Sequence, residues 1–240
     1  MEQMFTETSK TGDIVTQFPM ASQIFKKYKI DFCCGGDRPI GEALEQKQLD
    51  KEEVLQQINE LYQASKSENK KQINWAEQDY GTLIDHVLNV HHAYLNQALP
   101  ELAAFVKKVY RVHGQHRPEL AEVFSLFNQL KMELEHHLIQ EEEMIFPKVK
   151  EYEQAPSQTK LEEIVQAIEV LEREHERSGN LLHELRKVTN DYILPEGACN
   201  TYRLTYLKLE ELESDLFEHI HLENNILFPR LEEENTSSGV

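Results

Sequence analysis

The chain has 240 residues, long enough for one good core with a satellite domain or for two modest cores. Its 43 acidic and 25 basic residues give a formal charge of −18, which repels polynucleotides and anionic membranes and excludes nucleic acid as a partner class. No apolar run nears the roughly 20 residues a bilayer span needs, and Met1-Glu2-Gln3-Met4 has no signal-peptide character, so a soluble, cytoplasmic protein without membrane partners is expected. Three cysteines close no disulfide framework, which suits a reducing compartment.

The first elements are short helices. Pro19 precedes Ala21, Ile24, Phe25 and Tyr28 at helical spacing, and a turn with two thiols, Asp31-Phe32-Cys33-Cys34-Gly35-Gly36, breaks the pattern. A short helix around Ala43 and Leu44 follows. Asp50 and Glu53 then form a capping box that opens a helix carrying Val54, Leu55, Ile58, Leu61 and Tyr62. Ser65 to Gln72 lacks apolar anchors and reads as a linker, which gives a small helical domain over 1–72 and a second domain over 73–240.

The second domain reads as four long helices. Helix A is predicted over Tyr80 to His113 and stops at Gly114. Helix B starts at Pro118 and ends near Pro147. Helix C carries the stripe Leu161, Ile164, Ile168, Leu171, His175, Leu182 and Leu185. Helix D follows Pro195-Glu196-Gly197 and ends near Pro229, before an acidic tail from Glu232. Lengths and connections of this kind predict an all-α fold, an antiparallel four-helix bundle.

A repeat runs through the bundle. His137 and Glu141, four apart, are followed by Phe146-Pro147; 82 residues on, 219 against 137, His219 and Glu223 are followed by Phe228-Pro229. Residues i and i+4 share a helix face, so each copy presents an imidazole and a carboxylate side by side. Both pairs continue apolar stripes, Leu130, Leu134 and Ile145 in one and Leu209, Leu212, Leu216 and Ile226 in the other. A core face that turns polar for one turn holds either a hydrogen-bonded polar layer or a metal.

Each half also has an earlier histidine, His86 on helix A and His175 on helix C, so a two-fold arrangement gathers four imidazoles and two carboxylates, a ligand set for two metal ions. Nitrogen and oxygen donors without thiolate point to iron or manganese, with zinc open on affinity. On helix A periodicity does not choose between His86, His91 and His92. The ferritin-type pairs Glu133/His136, Glu172/His175 and Glu218/His221 share no flanking pattern. His113 and His116 read as surface residues, and Gly179 leaves volume next to His175, room for a diatomic molecule or for close helix packing.

Both ends of the chain resemble the Repair of Iron Centres family, the ScdA/YtfE/DnrN group. The resemblance rests on Asp31 to Gly36, on Ile84-Asp85-His86, on His137 to Pro147, on Glu174-His175, on Pro195 to Cys199 and on His219 to Pro229. It implies a hemerythrin-like di-iron bundle behind a small helical N-terminal domain, with His86, His137, His175 and His219 as terminal ligands and Glu141 and Glu223 as bridges. It further implies repair of iron–sulfur clusters damaged by oxidative and nitrosative stress, with iron–sulfur proteins as partners, and leaves open whether the chain forms a homodimer. Fewer imidazoles than in oxygen-carrying hemerythrin suit iron donation; an enzyme reducing nitric oxide or peroxide and a diatomic-gas sensor are the alternatives.

For Cys33 and Cys34 the spacing suggests a turn in which one thiol packs inward and Gly35-Gly36 give conformational freedom. The resemblance instead implies a thiol role: iron in transit, nitrosyl capture or a transient redox pair. Cys199 stands isolated.

Overall fold

The computed structural model describes residues 4–67 and 73–237. Among them all regular structure is helical, as the periodicity predicted, and no helix is long and apolar enough to cross a membrane. The chain folds as two compact units, Met1–Leu83 with Phe217–Val240, and Ile84–Leu216.

In the first unit α1 (Thr11–Gln17), α2 (Ala21–Tyr28), α3 (Ile40–Gln46) and α4 (Lys51–Ser67) enclose a core of Phe5, Ile14, Phe18, Phe25, Phe32, Ile40, Leu44 and Ile58, with Phe217 packed against it. Asp50 caps α4, its Oδ1 accepting from Glu53 N at 3.0 Å. That helix runs on through Ser65 to Ser67, so the linker begins later than its composition suggested, and residues 68–72 lie outside the described residues.

Helix A is α5 (Tyr80–His86), a π-helical stretch over Val87–His92, and α6 (Ala93–His113). The other long helices are α7 (Glu119–Gln140), α9 (Gln158–Val188) and α10 (Asn200–Leu222), and α7 packs against both α6 and α9. Leucine, isoleucine and valine at spacings of three and four fill the second unit, among them Leu99, Val106, Leu134, Ile164, Ile168, Leu209 and Leu212, with Phe127 between them.

Helices B and D do not end at their prolines. A π turn over Glu141–Ile145 leads into α8 (Phe146–Gln154), and one over Glu223–Leu227 leads into α11 (Phe228–Ser237). In each, the phenylalanine N–H reaches back five residues, from Phe146 to the Glu141 carbonyl and from Phe228 to the Glu223 carbonyl. Proline breaks a regular helix because it lacks a donor and its ring strikes the carbonyl four residues back. The widened turn directly before Pro147 and Pro229 opens that space, and the helix continues. The tail from Glu232 is accordingly helical to Ser237.

Candidate metal centre

The polar insertions in the core stripes are where the sequence put them. In the second unit His137 and Glu141 are buried on one face, with His137 Nε2 3.2 Å from Glu141 Oε1. His175, from α9, is buried beside them, its Nε2 2.9 Å from His137 Nε2.

Helix A contributes His92. It is 1% exposed, and its Nε2 lies 3.3 Å from Glu141 Oε2. His86, the residue the resemblance implied, sits half-exposed one π turn earlier, edge-on to His91 with ring centroids 5.6 Å apart. Its neighbour Asp85 points outward to Lys150, at 2.5 Å.

The outer nitrogens are held by acids. His92 Nδ1 donates to Glu142 Oε1 at 2.9 Å and His137 Nδ1 to Glu174 Oε2 at 2.9 Å. The bond from His137 holds the Glu174 carboxyl below its ordinary range, with burial opposing. An ionised Glu174 accepts the Nδ1 proton and leaves the His137 Nε2 lone pair turned inward. That lone pair faces the Nε2 of His175, so a proton or a cation has to lie between them. Glu141, 0% exposed, adds a carboxylate to the same spot. Buried imidazole nitrogens converge here on a buried carboxylate, and acids behind His92 and His137 orient their rings. Such a donor set fits a divalent metal ion.

In the first unit the second copy is built alike. His219 Nε2 lies 3.2 Å from Glu223 Oε1, and both residues are buried. His136 is exposed and His221 Nδ1 bonds the Phe32 carbonyl at 3.3 Å, which disposes of two of the three ferritin-type pairs. Burial pushes His221 down to about 4 against that hydrogen bond, so the ring is neutral and donates. The small buried residue one turn from His175 is Ser178; Gly179 is half-buried.

The thiol turn is tied to the helix that carries Glu223. Asn225 Nδ2 donates to the carbonyls of Phe32 and Cys33 at 3.3 and 3.0 Å. Asp31 folds the turn from inside, accepting from Cys33 N at 2.9 Å and Gly35 N at 3.1 Å. Gly36 serves proximity rather than conformational freedom: its φ is not positive, and a Cβ there would collide with Asn225 Oδ1. Cys33 is buried, its thiol pushed up by desolvation, then by Cys34 and Asp31, while Cys34 is half-exposed and its Sγ lies 3.8 Å away.

A family model described as "Hemerythrin HHE cation binding domain" matches residues 83–231, and one described as "ScdA_N: Domain of Unknown function (DUF542)" matches residues 7–62. "Iron-sulfur cluster repair protein ScdA" of Staphylococcus haemolyticus (strain JCSC1435) is 35% identical over 94% of this chain and 98% of its own. The chain belongs to the ScdA/YtfE family. Other members include "Probable iron-sulfur cluster repair protein" of Haemophilus influenzae, 34% identical over 92% of this chain and 96% of its own. "Iron-sulfur cluster repair protein YtfE" of Escherichia coli O157:H7 is 33% identical over 91% and 94%. The hemerythrin match covers every ligand-type residue described above, and the match over residues 7–62 contains the thiol turn.

Glu142 and Asn225, which bond His92 and the thiol turn, were not singled out by the pattern, and Glu174, which bonds His137, was noted only as the neighbour of His175. Glu142 is masked by the acidic run it belongs to. Asn225 acts on a turn some 190 residues away, which no local pattern can show.

Proposed function

We propose that this protein repairs iron–sulfur clusters by donating iron from a two-iron centre. On this reading the residues that would hold the iron are His92, His137, His175 and Glu141 in the second unit and His219 and Glu223 in the first, with the two carboxylates balancing its charge. His92 takes the place on helix A that the resemblance gave to His86.

The observation that carries the reading is the Glu141 group. A carboxylate and three imidazoles are buried together, and Glu142 and Glu174 aim two of those rings inward. Left without a cation, so much buried polarity costs several kcal/mol. Bound iron would supply exchangeable ferrous ions. The protein's own part is to orient the imidazoles, to neutralise charge with two carboxylates rather than more, and to keep bulk water out with rings such as Phe146, whose centroid lies 5.7 Å from that of His92. The thiol role falls to half-exposed Cys34, on a turn that Asn225 fixes to the ligand helix, with Cys33 packed behind it. The clients are iron–sulfur proteins damaged by oxidative or nitrosative stress, in the cytoplasm.

The test is anaerobic purification, metal analysis, and incubation with an apo-ferredoxin and sulfide in the absence of nitric oxide. Iron at about two per chain, followed by its appearance in the ferredoxin cluster, is expected. Repeated turnover of nitric oxide with a reductant and no iron loss would establish an enzyme instead.

A further inference from the structure

At one end of the second unit, the C-terminus of α6 meets the N-terminus of α10. His113 is the last residue of α6, a helix of 21 residues, and Cys199 immediately precedes the 23 residues of α10. The Cys199 carbonyl accepts the first helical bond, from Arg203 N at 3.0 Å, which makes Cys199 the N-cap. His113 Nε2 lies 3.3 Å from Cys199 Sγ. The imidazole is steadied by Tyr202, with ring centroids 5.5 Å apart, and Tyr202 is itself buried with its hydroxyl 3.3 Å from that of Tyr206. Cys199 is exposed.

An exposed thiol with a base in contact and a helix N-terminus beneath it is the arrangement of a reactive cysteine. Its location separates it from the metal chemistry: the 21 residues of α6 lie between His92 and this end of the helix, about 30 Å at 1.5 Å per residue.

We propose that Cys199, with His113 as its base, is a nucleophilic thiol that takes up low-molecular-weight disulfides as a mixed disulfide. His113 Nε2 accepts the thiol proton, and Cys199 Sγ attacks one sulfur of the reagent. The S–S bond of the reagent breaks as the protein–reagent S–S bond forms. The second sulfur leaves as a thiolate and takes up a proton from the imidazolium, so one disulfide and one thiol are exchanged for another pair. A reducing thiol reverses the step.

The experiment uses the full, iron-loaded chain with oxidised glutathione and with 4,4′-dithiodipyridine, and follows modification of the Cys199 peptide by mass spectrometry against reduced glutathione as the reference thiol for the second reagent. Cys199 should react about tenfold faster than the reference at neutral pH, because His113 takes up the thiol proton. His113→Gln should bring the rate down to that of the reference, while circular dichroism and iron content stay unchanged. Cys199→Ser should abolish that adduct. A wild-type rate that matches the reference at every pH overturns the proposal whether or not the variants fold, and so does an unchanged rate in a folded His113→Gln variant.

Discussion

Gly36→Ala should be among the more damaging single-methyl additions in the first unit, for a reason the structure makes quantitative. The added Cβ would run into Asn225 Oδ1 and lie 2.8 Å from Asn225 Cγ. An ordinary carbon–carbon contact needs roughly 0.7 Å more than that, so the Asn225 amide has to leave, and with it go the bonds to the Phe32 and Cys33 carbonyls. Two such bonds contribute about 1 kcal/mol each, and residual overpacking adds about 1 kcal/mol, for a total loss of about 3 kcal/mol. Asn225→Ala alone should cost about 2 kcal/mol, because the bonds are lost without the clash. The double variant decides the matter. Once the Asn225 amide is removed, the new Cβ at position 36 has room, the φ there is already in the ordinary range, and the loss of glycine freedom in the unfolded chain favours folding by about 0.5 kcal/mol. The double variant should therefore be no less stable than Asn225→Ala. Urea unfolding of the four proteins, with iron content measured on each, gives the coupling directly. Additivity within about 0.5 kcal/mol would refute the account, since it would mean that Gly36 and Asn225 do not meet.

Two further outcomes follow from the site. Glu174→Gln keeps the shape of the side chain but removes the charge that holds the Nδ1 proton of His137, so iron affinity should fall by about 10- to 100-fold, read by competition with a chelator. Unchanged affinity would mean that the acid is only a surface carboxylate. Cys33, raised well above the ordinary thiol range by burial, should resist iodoacetamide at pH 8 while Cys199 is alkylated. The sign follows from linkage: a raised folded value contributes stability that is full below the unfolded thiol value, about 8.5, and is lost as pH rises through the folded one, so the first unit should loosen in alkali. Equal alkylation of both cysteines at pH 8 would contradict the buried placement.

The parts of the site that lie within a single helical turn could be read from the chain. His137 with Glu141 and His219 with Glu223 are four apart, and the stripes around them mark the buried face without help from the fold. His175 was legible for the same reason, as a polar member of an apolar stripe whose other members are all buried. What could not be read depends on residues far apart in sequence. Glu174 becomes a partner of His137 only once α9 lies against α7, Gly36 is constrained by Asn225, and His113 meets Cys199 across 86 residues. His92 was lost for a different reason. On helix A the α-helical period left His86, His91 and His92 open and only the resemblance pointed to His86, because the chain departs from that period between Val87 and His92.

That departure has a signature in the sequence. Steps of four residues advance about 400° around an α-helix, so each drifts about 40° from the face it started on, and three or four in a row leave the core. Yet Leu83, Val87, His91, Leu95 and Leu99 are all buried, as are His137, Glu141, Ile145 and Val149, and likewise His219, Glu223, Leu227 and Leu231. Runs of this kind stay on one face only if the helix is locally wider, and each run contains a π turn. A π turn is less favourable than the α turn it replaces and recurs at functional sites, where some other interaction offsets its cost. Here each turn begins or ends on a ligand-type residue: Glu141 and Glu223 open theirs, and His92 closes the first. The widening also broadens the buried face of helix A enough to hold two consecutive histidines, with His91 Nδ1 bonded to Asp215 at 3.0 Å and His92 Nδ1 to Glu142 at 2.9 Å. An α-helix would set those rings about 100° apart and turn one of them outward. The run of fours, rather than the histidines themselves, is what marks the widened stretch in which His91 and His92 are both buried while His86 stays half-exposed.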